Sequence, residues 1–201
     1  MTARVGGVAD TPPAKPAPPN AAPPTPVSRA RYEAALTFDQ FLATVQANAD
    51  LWRAVYGHAA IEDDAVTRFA GLGGGGHWHL LVLAEDWCGD AVNTVPVMAR
   101  LTERVPNLDL RILPRDANLD LMDSHLTNGA RSIPVVIVLR EDYSELGWWG
   151  PRPRALQMWV VTEGRALDKT ERYREVRRWY ARDRGHTTVE ELWGLVAGDV
   201  R

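Results

Sequence analysis

Cysteine is almost absent from this chain, which carries a single thiol, Cys88, among its 201 residues. One cysteine cannot form an internal disulfide, and a structural zinc site made of several thiolates is excluded for the same reason. Any disulfide that the protein makes must therefore join Cys88 to another molecule.

Long hydrophobic runs are absent as well. The longest, residues 80–84 and 135–139, fall far short of the roughly 20 residues that a membrane helix needs, and residues 1–10 lack the apolar segment of a secretory signal. An excess of positive charge is also missing, since the formal net charge is -3, which provides no cationic field toward nucleic acid or anionic lipid. We expect a cytoplasmic protein that binds neither nucleic acid nor a membrane.

Proline is concentrated near one end of the chain. Residues 11–26 hold eight of the fourteen prolines, among alanines and threonines. This composition favours extended, poorly packed backbone, and it predicts a disordered Pro/Ala-rich tail over residues 1–29. A Pro-rich ligand for a partner protein is the alternative, but no aromatic or clear basic anchor accompanies the prolines.

Hydrophobic periodicity in the rest of the chain predicts helices that alternate with strands, which is the α/β class. A Thr-x-x-Gln capping box at Thr37 and Gln40 predicts that order begins there. The predicted helices lie over 38–56, from Asp63 to a flexible glycine joint at 71–76, over 89–104, and over 153–198 with breaks near Gly164 and Gly185 and a cap at Thr188 and Glu191. The predicted strands lie over 79–84, 108–112, 135–139 and, at the edge of the sheet, 145–149.

Cys88 follows a predicted buried strand and lies at the start of a predicted helix. Unpaired backbone N–H groups at a helix start favour an anion, and the thiolate is the nucleophilic form of cysteine. Asp86 and Asp90 act in the opposite direction, because nearby negative charge disfavours a second anion. We therefore expect a modest lowering of the Cys88 pKa, or none.

Three motifs resemble the thioredoxin family in order and spacing. They are Trp87-Cys88-Gly89 after a buried strand, Pro96 eight residues after the cysteine, and the segment 129–134 that ends in Ile133-Pro134, forty-six residues after the cysteine. The resemblance covers about residues 37–155. It implies a thioredoxin-like three-layer α/β/α fold with a central mixed sheet, formed by a domain over residues 30–155, with a C-terminal helical extension over 156–201 packed on it.

The same resemblance implies that Pro134 is a cis-proline beside the thiol, with the backbone of Ile133 free to pair with an extended substrate. Two departures from the family pattern concern the resolving step. Ala91 stands where the second cysteine would be, and Val82 stands where a buried acid would assist that cysteine. A dithiol cycle is thus excluded for the isolated chain, whereas a monothiol cycle with an external resolving thiol is not.

We predict Cys88 as the nucleophile of a monothiol thiol-disulfide oxidoreductase. Its partner would be a protein or a low-molecular-weight thiol or disulfide, and we expect no cofactor and no metal. The residues predicted to bind substrate are Trp87, Gly89, Asp90, Arg131, Ile133 and Pro134. The alternative is a redox-inactive protein-binding module that retains the peptide groove.

Two other features of the sequence, a pair of histidines and a basic stretch, are interpreted as structural rather than functional. His77 and His79 project from the same face of a strand and could ligate a metal with Asp86 or Asp116, but no third ligand has a characteristic spacing. The basic stretch 165–184 superficially resembles a nucleic-acid surface. Its oppositely charged neighbours, three and four residues apart, fit a solvated helix face better.

Overall fold

Four strands form one mixed sheet in the computed structural model, which describes residues 25–72 and 76–199. The strands are β1 (Trp78–Ala84), β2 (Leu108–Pro114), β3 (Val135–Leu139) and β4 (Glu145–Trp149). Their order across the sheet is β2-β1-β3-β4, with β1 and β2 parallel and the other two pairs antiparallel. All four predicted strands are confirmed, and β4 lies at an edge as predicted.

The burial of each strand follows its residue pattern. Every residue of β1 and β3 is buried, as expected for continuous runs of Leu, Val and Ile covered on both faces. In β2 the buried residues Leu108, Leu110 and Ile112 alternate with more exposed ones, which is the period of a strand with one face in the core. Together with the helices that flank the sheet, these strands confirm the predicted thioredoxin-like α/β fold.

The helices cover most of the remaining described residues. They are α1 (Arg29–Ala34), α2 (Phe38–Thr44), α3 (Ala49–His58), α4 (Asp63–Ala70), α5 (Ala91–Arg104), α6 (Leu119–Asp123), α7 (Arg154–Val161), α8 (Lys169–Asp183) and α9 (His186–Asp199), with short 3-10 helices at Arg115–Ala117 and Glu163–Ala166. None of the helices in this described part combines the length and the apolar content that a membrane span requires.

The prediction of one helix over 38–56 is wrong, because the chain turns between α2 and α3. The capping box is present, with Gln40 N–H donating to Thr37 Oγ1 and Thr37 N–H donating to Gln40 Oε1. At Asn48 the backbone is left-handed, with φ 56°, a conformation that Asn tolerates better than most residues. The turn is stabilised from a distance, since Asp86 Oδ2 accepts hydrogen bonds from the backbone N–H groups of Gln46 and Ala47.

Order begins earlier than the predicted start near Thr37. The side chain of Ser28 caps α1 by accepting a hydrogen bond from the N–H of Arg31, and Val27 and Tyr32 are buried. Two predictions lie wholly or partly outside the described residues: the disordered tail, for residues 1–24, and the glycine joint, for residues 73–75.

The predicted cap of the last helix by Thr188 and Glu191 is also wrong. Helix α9 begins at His186, and Thr188 is buried within it. The acid that caps its first turn is Asp183, whose carboxylate accepts hydrogen bonds from the N–H and the hydroxyl of Thr187. Glu191 instead accepts hydrogen bonds from Trp149 Nε1 and from the N–H of Arg154, so it joins α9 to the end of β4.

The helices after β4 pack in two ways. Helix α9 lies against β4 and α5, and its residues Val189, Leu192 and Val196 belong to the main core. Helices α7 and α8 form a smaller cluster of their own, built on Leu156, Val176 and Tyr180.

Candidate functional site

Cys88 lies in the turn that leads from β1 into α5. Its N–H donates to the carbonyl of Glu85 and its carbonyl accepts from Val92. The sulfur makes two contacts: Sγ accepts from the N–H of Ala91 at 3.4 Å, and the S–H donates to the carbonyl of Ile133 at 3.3 Å. The thiol is therefore held between the start of α5 and the segment that precedes β3.

Pro134 lies directly beside this contact. The peptide bond between Ile133 and Pro134 is cis, and Ile133 is buried. The carbonyl of Ile133 is occupied by the Cys88 thiol, so a substrate that paired with this carbonyl would have to displace the S–H donor.

Burial is the largest influence on the pKa of the Cys88 thiol. Cys88 is only 7% exposed, and this burial raises the pKa of its thiol above the ordinary value. The N–H of Ala91 and the charge of Arg152 favour the thiolate, whereas the charge of Asp90 disfavours it. The expectation of a lowered or unchanged pKa is wrong, because the loss of hydration on burial outweighs the favourable groups at the helix start.

Cys88 borders an open cleft with positively charged walls. The cleft has a volume of about 490 Å³, within the range of roughly 300–1,000 Å³ that is usual for small-molecule sites. Four cationic side chains and one carboxylate line it: Arg115, Arg131, Arg152, Lys169 and Asp90. The geometry therefore gives the sulfur an approach from a surface of predominantly positive charge.

Trp87 projects from the rim of this cleft. Its side chain is 51% exposed, and the guanidinium of Arg115 lies 5.1 Å from the ring centre, within the range of a cation–π contact. Gly89 lines the same cleft. Trp87, Gly89, Ile133 and Cys88 thus all line this one cleft.

Arg131 lines the cleft too, but its charge is engaged elsewhere. Its Nε and Nη2 atoms donate to the two carboxylate oxygens of Asp123 at 2.6 and 2.8 Å. Both side chains are about half exposed. The cation whose charge acts on the Cys88 thiol is Arg152, not Arg131.

The carboxylate of Asp90 is engaged in a buried ion pair, so it is not available to bind substrate. Arg152 donates from Nε to Oδ1 at 2.9 Å and lies 2.6 Å from Oδ2 through Nη2, while the hydroxyl of Tyr180 donates to Oδ1 at 3.0 Å. Burial raises the pKa of the Asp90 carboxyl, and the two donors favour its ionised form. Asp90 therefore anchors residues from after β4 and from α8 directly beside Cys88.

Sequence reasoning missed Arg152 and Tyr180. Arg152 stands between two prolines, Pro151 and Pro153, in a run that interrupts the strand pattern. This break in the pattern is the signal that could have drawn attention to Arg152. The sequence carries no such signal for Tyr180, because the charge pattern of residues 165–184 favours a solvated helix face. It is 5% exposed, so one side of α8 is buried and the interpretation is wrong on that side.

His77 and His79, before and within β1, lie near a carboxylate other than Asp86 or Asp116, the two acids that the sequence suggested. Asp86 is occupied in capping the turn before α3, and Asp116 pairs with Arg115. Asp109, on the neighbouring strand β2, is the acid that the fold brings to His77 and His79.

Comparison with known proteins supports the resemblance. The family model described as Thioredoxin matches residues 35–174. Among solved structures, a protein of unknown function from Pseudomonas aeruginosa is 20% identical with a TM-score of 0.68, and an HIV epitope scaffold is 18% identical with a TM-score of 0.64; each alignment covers 86% of this chain and 99% of the other. At these identities the structures show the fold alone, and no curated protein matches the chain. Because the family match spans well over half of its length, this chain belongs to the thioredoxin family.

Proposed function

We propose that this protein is a monothiol thiol-disulfide oxidoreductase in which Cys88 is the nucleophile and an external thiol resolves the product. The observation that carries the proposal is the position of the sulfur. It borders a cleft and lies 3.3 Å from the carbonyl that precedes the cis peptide bond of Pro134. A disulfide that enters the cleft meets the sulfur and the Ile133 backbone together.

The reaction consists of two exchange steps. The Cys88 thiolate attacks one sulfur of a disulfide, so a mixed disulfide forms on Cys88, the original S–S bond breaks, and the departing thiolate takes up the proton that Cys88 lost. The thiolate of an external low-molecular-weight thiol then attacks the mixed disulfide and releases Cys88. One half of the substrate disulfide thus leaves as a thiol, and the other half leaves joined by a new disulfide bond to the external thiol. Each cycle consumes one external thiol, so turnover needs a reduced thiol pool such as the cytoplasm contains.

The charge of the cleft favours an anionic substrate. Three of its four cations are paired with a carboxylate, Arg152 with Asp90, Arg131 with Asp123 and Arg115 with Asp116. Lys169 has no ion-pair partner among residues 25–72 and 76–199, and Arg115 extends across the ring of Trp87. A disulfide whose ends carry carboxylates would therefore bind near Cys88 better than one whose ends carry amines.

The direct test is adduct formation on the native protein. We expect oxidised glutathione, which carries carboxylates, to add one glutathionyl group to Cys88, as measured by intact mass, and Cys88→Ser to abolish the adduct completely. Cystamine, a disulfide whose two ends are cationic, is the matched control and should react several-fold more slowly at low ionic strength. Failure of the native protein to form any adduct, when the urea-unfolded protein forms one readily, would contradict the proposal.

The pH dependence of alkylation tests the environment of the thiol. Because burial raises the pKa of Cys88, the thiolate fraction should increase only at a higher pH than for a free cysteine, whose pKa is about 8.5. We expect iodoacetamide to react with the native protein several-fold more slowly than with free cysteine at pH 7, and the rate to rise to a midpoint above that of the unfolded chain. A midpoint below the unfolded one would contradict the dominance of burial.

A redox-inactive protein-binding module is the second candidate, and the raised thiol pKa together with Ala91 and Val82 favours it. In that case Trp87 and the Ile133 backbone would hold an extended peptide without covalent chemistry. Slow alkylation alone does not decide between the two, because a thiolate of higher pKa is intrinsically more nucleophilic. Partner capture decides: loss in Trp87→Ala but not in Cys88→Ser supports the module, and the reverse supports the oxidoreductase.

A further inference from the structure

Three metal-ligating side chains converge near the beginning of β1. His79 of β1 is the register partner of Asp109 of β2, so the two side chains stand on neighbouring strands of the sheet. His77 lies two residues before His79, and their rings are 4.8 Å apart. One ligand atom from each of the three residues lies within 4.8 Å of the other two.

The surroundings hold two of these side chains in place. The ring of Tyr143 stacks on His79 at 4.5 Å with an interplanar angle of 5°. The hydroxyl of Tyr32 donates to Asp109 Oδ1 at 2.7 Å, and His79 Nδ1 lies 2.6 Å from the same oxygen. Partners of this kind orient metal ligands in known sites.

We propose that His77, His79 and Asp109 form a binding site for one divalent cation of the zinc class, with solvent completing its coordination. Two imidazoles and a carboxylate are the donor set of many zinc sites that keep an open position. Contrary to the expectation from sequence, the parallel pairing of β1 and β2 supplies the missing third ligand.

Two of the three ligand separations require adjustments of less than 1 Å, and the third, between the nitrogens of His77 and His79, is at most 4.8 Å and must narrow by up to about 1.5 Å. Zinc bonds of about 2.0–2.2 Å in tetrahedral geometry place ligand atoms about 3.3 Å apart. The atoms of His79 and Asp109 are 2.6 Å apart, and those of His77 and Asp109 are 3.6 Å apart. The first separation must therefore widen and the second narrow, each by less than 1 Å, and His79 must coordinate the ion through a ring nitrogen that carries no proton.

The site is separate from the thiol chemistry. His77 and His79 lie at the beginning of β1, whereas Cys88 follows its end. A bound ion would join the start of β1 to the edge strand β2 and, through the Tyr32 hydroxyl, to α1. Its expected role is to stabilise this corner of the fold.

His77 is the most informative residue for a test. His79, Asp109 and Tyr32 satisfy one another by hydrogen bonds without an ion, so changing any of them would disturb the fold by itself. His77 is one-third exposed and lies 3.6 Å from Asp109, beyond a normal hydrogen bond. A role in metal binding therefore gives His77→Gln a large effect on ion affinity and a small effect on the protein without ion.

The experiment titrates ZnCl2 into the untagged full chain by isothermal calorimetry. The Cys88→Ser background removes the thiol as a competing ligand, and His58→Gln, at an exposed histidine on α3, is the matched control. We expect one ion per chain, unchanged binding in His58→Gln, at least tenfold weaker binding in His77→Gln, and a thermal midpoint that rises with ZnCl2 only when His77 is present.

Three results would overturn the site. They are the absence of saturable binding up to millimolar ZnCl2, an affinity in His77→Gln equal to that of its parent, and binding in the wild-type chain that Cys88→Ser abolishes. Asp109→Asn checks the acid. It should also weaken zinc binding at least tenfold, and an unchanged affinity in this variant, if it folds, would contradict the proposed ligand set.

Discussion

Replacing Arg152 by alanine is expected to lower the free energy of unfolding by about 3–5 kcal/mol, the usual cost of removing one partner from a buried ion pair. The substitution leaves the Asp90 carboxylate buried with a single donor, the hydroxyl of Tyr180. The partner of Asp90 lies 62 residues away along the chain, so the lost contact is one that joins distant segments. Urea unfolding at pH 7, followed by circular dichroism, measures the effect.

Arg131→Ala is the matched control for this experiment. Arg131 also lines the cleft and also pairs with a carboxylate, that of Asp123, through two short contacts. Both partners are about half exposed, and exposed pairs contribute roughly 0–1 kcal/mol. Equal losses in the two variants would contradict the importance of burial at Asp90.

The pH dependence gives a second criterion for the Arg152 variant. Burial already raises the pKa of Asp90, and loss of Arg152 removes a group that favours the carboxylate, so the pKa of the folded variant rises further. A group whose pKa is raised by folding stabilises the protein at low pH and loses that contribution as the pH rises above the unfolded value, about 3.9. The difference from wild type should therefore be largest near pH 7 and shrink toward pH 4.

The elements built on local patterns were predictable from the sequence. The runs at 80–84 and 135–139 are apolar at every position, and they form the two strands that are buried on both faces. The capping box at Thr37 and Gln40 sets the start of α2 because both of its hydrogen bonds join residues three apart. The thioredoxin-like motifs likewise placed Cys88 beside Ile133.

The features that could not be predicted depend on partners far apart in sequence. The break before α3 is held by Asp86, about 40 residues away from the turn. Tyr180 reaches Asp90 across 90 residues, and no periodicity in α8 marks that contact. A local pattern also misled at Thr188 and Glu191, since a Thr-x-x-Glu spacing fits the interior of a helix as well as its start.

The proposed metal ligand set falls between these cases. Asp109 lies 30 residues from His79, yet the two are register partners on adjacent parallel strands. Both strands were predicted, and aligning them in register would have identified the acid. The missing information was the pairing, which depends on how the helix between the strands crosses the sheet.

Gly150→Ala is expected to destabilise the protein by roughly 3 kcal/mol or more, through overpacking and backbone strain together. Gly150 follows β4 and has φ 132°, a conformation that residues with a side chain rarely adopt. A Cβ atom there would lie 2.1 Å from the carbonyl oxygen of Pro134, which is backbone and cannot move without shifting the segment beside Cys88. Thermal unfolding measures the stability loss.

The displaced segment should also change the reactivity of the Cys88 thiol. If Pro134 moves, the contact between the Cys88 S–H and the Ile133 carbonyl weakens, so iodoacetamide should modify Cys88 faster in folded Gly150→Ala than in wild type. Gly147→Ala on β4 and Gly89→Ala beside the thiol are controls, because an added Cβ meets only Leu195 at 3.8 Å in the first and nothing within 4 Å in the second. Wild-type stability and reactivity in Gly150→Ala would show that the backbone of Gly150 and Pro134 does not position the thiol.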